Sequence, residues 1–439
     1  MMRKIFLTLV LLLPQAVLAI PEIQHWSTSN GAQVYFTQAT EIPMVDARVV
    51  FDAGAARDGD HPGIAALTNS LLSEGAGELD ADMIAERLDN LGAKLGSGSL
   101  RDMAWLSIRS LTEKQVMKEA MELISLILSK PTFEEQSFER IRKSMLVGIE
   151  ASKQSPSKLA ENAFMQAVYG SHPYASPPEG TEESLNAITV DQIRGYYKQY
   201  YVARNAIVAI VGDMSRVQAE QLAELLAGSL ESGEKAADLP SVPDTKDATV
   251  RVIHPSTQTH VWVGQAGMKR SDPDYFPLYV GNHALGGSGL VSLLSDEVRE
   301  KRGFAYSVYS YFSPMRELGP FEMALQTKNS HASEALKVMR ETTQRFIEVG
   351  ISDEQLTASK QNITGGFALR LDSNSKLAEN LAVIGFYGLP LDYLNRFNER
   401  IEAVTVKDVK DAFKRRVKVD DMVTVIVGPE PSASPGDKG

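Results

Sequence analysis

The chain has 439 residues and a net charge of −11, with 45 basic against 56 acidic side chains. That balance argues against a nucleic-acid partner, which would want a basic face. The absence of cysteine excludes disulfides, zinc–thiolate sites and thiol nucleophiles, so the cores must hold on packing alone.

Residues 1–19 predict a signal peptide. Arg3 and Lys4 precede an apolar run, Ile5 to Leu13, too short to cross a bilayer, and Val17 and Ala19 suit a cleavage site. The mature protein is therefore expected to be soluble, periplasmic or secreted, with no membrane span after cleavage. Gln33 to Gln38 and Met44 to Phe51 alternate or run apolar as strands do. Helical periodicity follows in Asp80 to Leu91 and Glu113 to Leu128. Thr112 with Gln115, Thr132 with Glu135 and Thr189 with Gln192 fit capping boxes. Ala206 to Val211 reads as a buried strand closed by Gly212-Asp213. Gly228 to Asp247 mixes Gly, Ser, Pro and charges without period, a linker and a plausible hinge. Beyond it, Val261 to Val263, Phe321 to Gln326 and Met422 to Val427 read as strands. Ala335 to Glu348, Asp353 to Gly365 and Ser375 to Tyr387 read as helices. The Pro/Ser/Gly-rich end, 430–439, predicts a disordered tail.

One pattern overrides the local ones. Residues 157–162 read Ser-Lys-Leu-Ala-Glu-Asn, and residues 375–380 repeat those six letters. Ser155 and Ser373 precede the two copies at one offset, and Tyr169-Gly170 and Tyr387-Gly388 follow at another. Ile188-Thr189-Val190 matches Val404-Thr405-Val406, and Val211-Gly212 matches Val427-Gly428. The chain is a duplicated unit. The expected domains are 20–237 and 238–429, homologous to one another. The mixture of strands and long helices without strict alternation predicts α+β, each domain a largely antiparallel sheet with helices packed on one face.

Four segments carry a resemblance: Gly63 to Gly75, His172-Pro173-Tyr174 with Glu179-Gly180-Thr181, Tyr200 to Asn205, and Gly286 to Tyr306. Together with the duplication, they make the chain resemble the pitrilysin-like inverse-zincin metallopeptidases, relatives of insulin-degrading enzyme and mitochondrial processing peptidase. The resemblance spans the mature chain and is closest to the bacterial two-domain branch. Active members hold zinc on an H-x-x-E-H helix of the first domain, whose Glu activates the bound water. Here those positions are Ala66, Asn69 and Ser70. The family's third ligand would fall near Leu146 to Glu150, where Glu150 is better read as a solvated helix residue. No two of His25, His61, His172, His254, His260, His283 and His331 have metal-ligand spacing on a helix. His331 with Glu334 reads as a helix-start polar pair, and His172 before Pro173 as a loop-fixing residue. The chain is expected to bind no metal and no cofactor.

The second half keeps what the first lacks. Leu285 to Tyr306 reads as a Gly-rich turn, a helix, a stop at Gly303 and a strand. The resemblance implies that Arg299 and Tyr306 are catalytic, reaching across a chamber to the zinc site of an opposite domain. A phenol hydroxyl there would stabilise the oxyanion of peptide hydrolysis, and a guanidinium would hold a substrate carbonyl. Residue types alone also fit a wet helix end, Glu297 to Arg302, and ordinary sheet tyrosines. A missing half-site with a retained complement implies a heterodimer. In that reading this chain, inactive alone, supplies Arg299 and Tyr306 in trans to a homologous partner bearing H-x-x-E-H and zinc. Peptides or unfolded proteins would be the substrates. The alternative is a catalytically silent scaffold or peptide-binding homologue.

Overall fold

The computed structural model describes residues 22–430. The expected signal peptide at 1–19 lies outside them, as does the expected tail apart from its first residue. Thirteen strands occur in this span: β1 (Gln24–Ser27), β2 (Gln33–Gln38), β3 (Met44–Phe51), β4 (Gly75–Ala76), β5 (Leu79–Asp80), β6 (Lys94–Ser99), β7 (Ala104–Leu111), β8 (Ala206–Gly212), β9 (Ala248–Ile253), β10 (Gln258–Met268), β11 (Ala305–Phe312), β12 (Gly319–Lys328) and β13 (Val423–Gly428). β4 and β5 form a small hairpin. The others build two sheets, ordered β1-β2-β8-β3-β7-β6 and β11-β12-β10-β13-β9. With β1 set aside, the orders match strand for strand when one is reversed. Each sheet has one parallel pair, β2 with β8 and β9 with β13; its other pairs are antiparallel. The molecule is α+β with two sheet-bearing halves.

Alternation along the strands sorts side chains between two cores. In the first sheet Val34, Phe36, Val49, Phe51, Val208 and Ile210 face helices of their own half, among them Ile64–Leu71 and Lys114–Ser129. The other face, with Tyr35, Val50, Ala209 and Val211, shares a core with Leu377, Leu381 and Ile384. Those leucines and that isoleucine belong to the helix Asn374–Tyr387, from the second half of the chain. The converse holds too. The helix Pro156–Tyr169, from the first half, sets Ala160, Phe164 and Val168 against Trp262, Ala324 and Val425 of the second sheet. These are the two helices that carry the repeated hexapeptide, and they are exchanged between the halves.

Each exchange is built alike. Ser155 and Ser373 cap their helices, accepting the N–H of Lys158 and of Lys376. A β-carbon on Gly385 would come 2.5 Å from the ring of Tyr35, and one on Gly264 would come 2.9 Å from that of Phe164. Only glycine allows these approaches. At the helix ends, the Tyr169 hydroxyl donates to the Leu318 carbonyl at 2.9 Å and the Tyr387 hydroxyl donates to Asp102 at 3.0 Å. Asp102, 3% exposed, also accepts from the Tyr174 hydroxyl at 2.6 Å and the Arg316 N–H at 2.7 Å. One carboxylate thus ties donors of both halves.

The stretch 228–247 is strapped down rather than free. Glu231 and Ser232 carbonyls accept from the N–H groups of Ala203 and Arg204, and the Thr245 hydroxyl accepts from the Ala266 N–H. Leu239 and Val242 pack against the exchanged-helix core, and His172 Nε2 lies 3.0 Å from the Pro240 carbonyl oxygen. Of the three expected capping boxes, Thr189 forms one. Thr112 and Thr132 do not: their helices start at Lys114 and Glu135, behind Glu113 and Glu134, with no side-chain cap. The N–H of Thr112 bonds Pro43 and that of Thr132 bonds Gly75, which keeps both in extended pairing and delays the helix.

Candidate functional site

The helix Ile64–Leu71 begins in the left-handed turn of Gly63 (φ 93°). The buried Asp58 carboxylate accepts the N–H of Gly63 at 2.7 Å and of Ala65 at 3.0 Å. Ala66, on this helix, lines a cavity of about 890 Å³ with Met145, Gly148 and Ile149. The two regions the resemblance singles out for zinc therefore do face one another. Their wall, however, is largely hydrocarbon. Asn69, 2% exposed, spends its amide on the Trp105 carbonyl at 3.2 Å and the Tyr201 hydroxyl at 3.3 Å. Glu150 pairs with Lys153 at 2.8 Å, its side chain 67% exposed. Among the described residues no three of His, Asp and Glu gather as metal ligands do. A methyl, a committed amide and a hydroxyl do not fit zinc, whose sites need imidazole, thiolate or carboxylate.

Arg299 and Tyr306 are brought together. The segment leading to them is not the regular helix expected. The helix Tyr275–Asn282 runs into a π-type turn, His283–Gly287, then a 3₁₀ turn, Gly289–Val291, then a second π-type turn, Ser295–Glu300. Gly286 presses so close to β11 that a β-carbon would sit 2.4 Å from Ser310 Oγ, and Asn282 exchanges hydrogen bonds with Ser310. Such π-type turns are frequent where function sits.

Gly303 (φ 62°) stops the turn, its N–H bonded to the Arg299 carbonyl at 2.8 Å. β11 then opens on a bulge. Ala305 pairs with Thr327 and Ser307 with Gln326, leaving Tyr306 as the extra residue. The bulge turns its side chain outward, 83% exposed. The Arg299 guanidinium carbon lies 5.2 Å from the Tyr306 ring centroid, within cation–π range, and Arg299 Nε is 3.4 Å from Glu300. Among the described residues the Tyr306 hydroxyl has no hydrogen-bond partner, so a donor stands free at the edge of the second sheet. β11 has an open edge there.

Two groups escaped sequence reading. One is Glu297, which collects the neighbouring cations; nothing in its charged stretch marks one acid above another. The other is a seam cavity of about 690 Å³ between the halves, walled by Arg48, Arg101, Trp105, Trp262 and Glu322 among others. Burial, helped by the nearby charge of Glu161, pushes the Glu322 carboxyl up to about 7, against the opposing pull of Arg101. These residues lie far apart in the chain, so spacing carries no signal of their meeting.

Comparison with known proteins gives a consistent picture. A family model described as Insulinase (Peptidase family M16) matches residues 34–182, and one described as Peptidase M16 inactive domain matches residues 187–363. A solved structure of a peptidase M16 inactive domain from Pseudomonas fluorescens is 38% identical, with a TM-score of 0.91 over 94% of this chain and 99% of that one. An uncharacterized zinc protease of Bacillus subtilis is 24% identical over 93% of this chain and 98% of its own length. A protein named a non-peptidase homolog, from Helicobacter pylori, is 24% identical over 97% and 98%.

Proposed function

Because this chain belongs to peptidase family M16, we propose that it is the non-zinc-binding subunit of an exported heterodimeric metallopeptidase. In this reading its Arg299 and Tyr306 complete the active site of a homologous partner that carries H-x-x-E-H and the metal. The observation that carries the reading is the asymmetry of the two half-sites. The place for zinc is walled by Ala66, Met145 and Ile149, while the bulge at Tyr306 presents an unpartnered phenol beside a guanidinium. A name given to one relative, a non-peptidase homolog, agrees with a chain inactive by itself.

In the complex, the Tyr306 hydroxyl donates to the carbonyl oxygen of the scissile peptide as negative charge builds there. Arg299 donates to a neighbouring backbone carbonyl and fixes the register of the substrate. Substrate lies extended, as a strand added at the edge of β11. Export rests on residues 1–19; among the described residues no helix is long and apolar enough to cross a membrane.

The test is an assay of each subunit and of their mixture on a quenched peptide. Only the mixture is expected to cleave. Tyr306→Phe should lower its kcat by roughly 100-fold, as loss of a single oxyanion donor does elsewhere. Arg299→Ala should raise KM as well as lower kcat. A mixture indifferent to both substitutions would leave a scaffold, and cleavage by this chain alone would refute the proposal outright.

A further inference from the structure

Four cations lie on or against the turn that leads to Tyr306: Arg299, Lys301, Arg302 and, from the helix Ala332–Val349, Arg345. Only Arg299 is stacked on the phenol ring. The other three converge on one carboxylate. Glu297 accepts from Arg302 Nη1 at 2.7 Å and from Lys301 Nζ at 3.0 Å, and Arg345 Nη2 lies 3.1 Å away. Arg302 Nη1 also donates to the Glu297 carbonyl at 2.7 Å, closing a ring around the turn. The Glu297 side chain is 13% exposed, while its three partners remain 38–57% exposed. Its carboxyl is held below the ordinary glutamate range, first by the Arg302 hydrogen bond.

We infer that Glu297 is a positioning residue for the Arg299–Tyr306 pair, an inference that rests on the function proposed above. It acts in two ways. By anchoring the turn Ser295–Glu300 to Arg345, it fixes the point from which Arg299 projects. By holding Lys301, Arg302 and Arg345 on its own carboxylate, it offsets part of the positive charge around the turn that carries Arg299. Like charges left uncompensated within a few ångströms repel by amounts comparable to the cation–π attraction itself. Glu297 touches neither substrate nor reacting atoms. Asp296 and Glu300 do not duplicate it: Asp296 pairs with Lys301 at 2.8 Å and Glu300 with Arg299 at 3.4 Å, and neither reaches Arg345.

The experiment is a double-mutant cycle in the mixed enzyme with Glu297→Gln, Tyr306→Phe and the two combined. Glu297→Gln, which keeps the shape of the side chain, is expected to lower kcat about 5- to 10-fold with KM moving less. In the Tyr306→Phe background the same change should cost under about twofold, because coupled residues are non-additive. Equal losses in both backgrounds would overturn the inference, since Glu297 would then act independently of Tyr306. So would an unchanged kcat for Glu297→Gln in a mixture that Tyr306→Phe impairs. If Tyr306→Phe and Arg299→Ala both leave the mixture unaffected, it is the underlying function that fails. A second readout needs no activity. Amide exchange across 295–306 in the isolated chain should quicken in Glu297→Gln and in Arg345→Gln while β2 and β8 stay as they were. Unaltered exchange in both variants would also sink the positioning role.

Discussion

Glu322 reaches into the seam between the halves, where neither a hydrogen bond nor an ion pair meets its carboxylate among the described residues. Its raised titration has a consequence for stability. Below about 4.5, the ordinary glutamate value, the group is protonated in folded and unfolded chains alike and its contribution is fully present. As pH rises through about 7 the folded protein must ionise a buried group that the unfolded chain has already ionised, so stability is lost. Asp58, also pushed up to about 7 by burial, acts in the same direction. Urea unfolding at pH 5 and pH 8 should therefore find Glu322→Gln less sensitive to pH than the wild type. At pH 8 the variant should gain on the order of 2 kcal/mol. Equal slopes for the two proteins would mean that solvent or a partner screens Glu322. At this scale the sequence was informative where a residue's role is local. Thr189 caps its helix, His172 fixes its loop, and Glu150 is a wet helix residue, as their neighbours in the chain suggest. The resemblance singled out Arg299 and Tyr306 as a pair, and they do lie together. The bulge that turns Tyr306 outward was not legible, since it depends on how β11 registers with β12.

The exchanged helices are the elements on which the fold depends most. Phe164 is fully buried against the second sheet, and Phe164→Ala is expected to cost about 3–5 kcal/mol in thermal or chemical denaturation. A larger claim follows from their crossing. Residues 20–237 expressed alone would leave one face of the first sheet uncovered and the helix Pro156–Tyr169 without its seat. Each half alone should therefore be insoluble or unfolded, while the two co-expressed as separate chains should form a stoichiometric complex on size-exclusion chromatography. Halves that fold and stay monodisperse separately would contradict the packing described. The strands Gln33–Gln38 and Met44–Phe51 agree residue for residue with their expected bounds, because β-branched and aromatic runs buried on both faces are a strong local signal. β6, Lys94–Ser99, was not anticipated: two glycines and mostly part-exposed positions leave a weak pattern, and β7 alone defines it. Nor does any periodicity reveal which sheet receives a helix. The hexapeptide announced a duplication and concealed an interchange.

Across the whole molecule, the tie at Asp102 makes the two halves one unit. Asp102→Ala removes the acceptor of Tyr174, Tyr387 and the Arg316 N–H together. Leaving those buried donors unpaired should destabilise the protein by on the order of 3 kcal/mol. Because the exchanged helices still join the halves, calorimetry should show a single transition shifted to lower temperature, and an unshifted transition would mean that Asp102 carries little of the tie. The strap 228–247 strengthens this union. The reciprocal seating of two like helices also bears on ancestry. A half-length forebear with the same helix could hide it only in a second copy of itself, so the intertwined pair would have preceded the fused gene. Tethering the copies made their meeting independent of concentration.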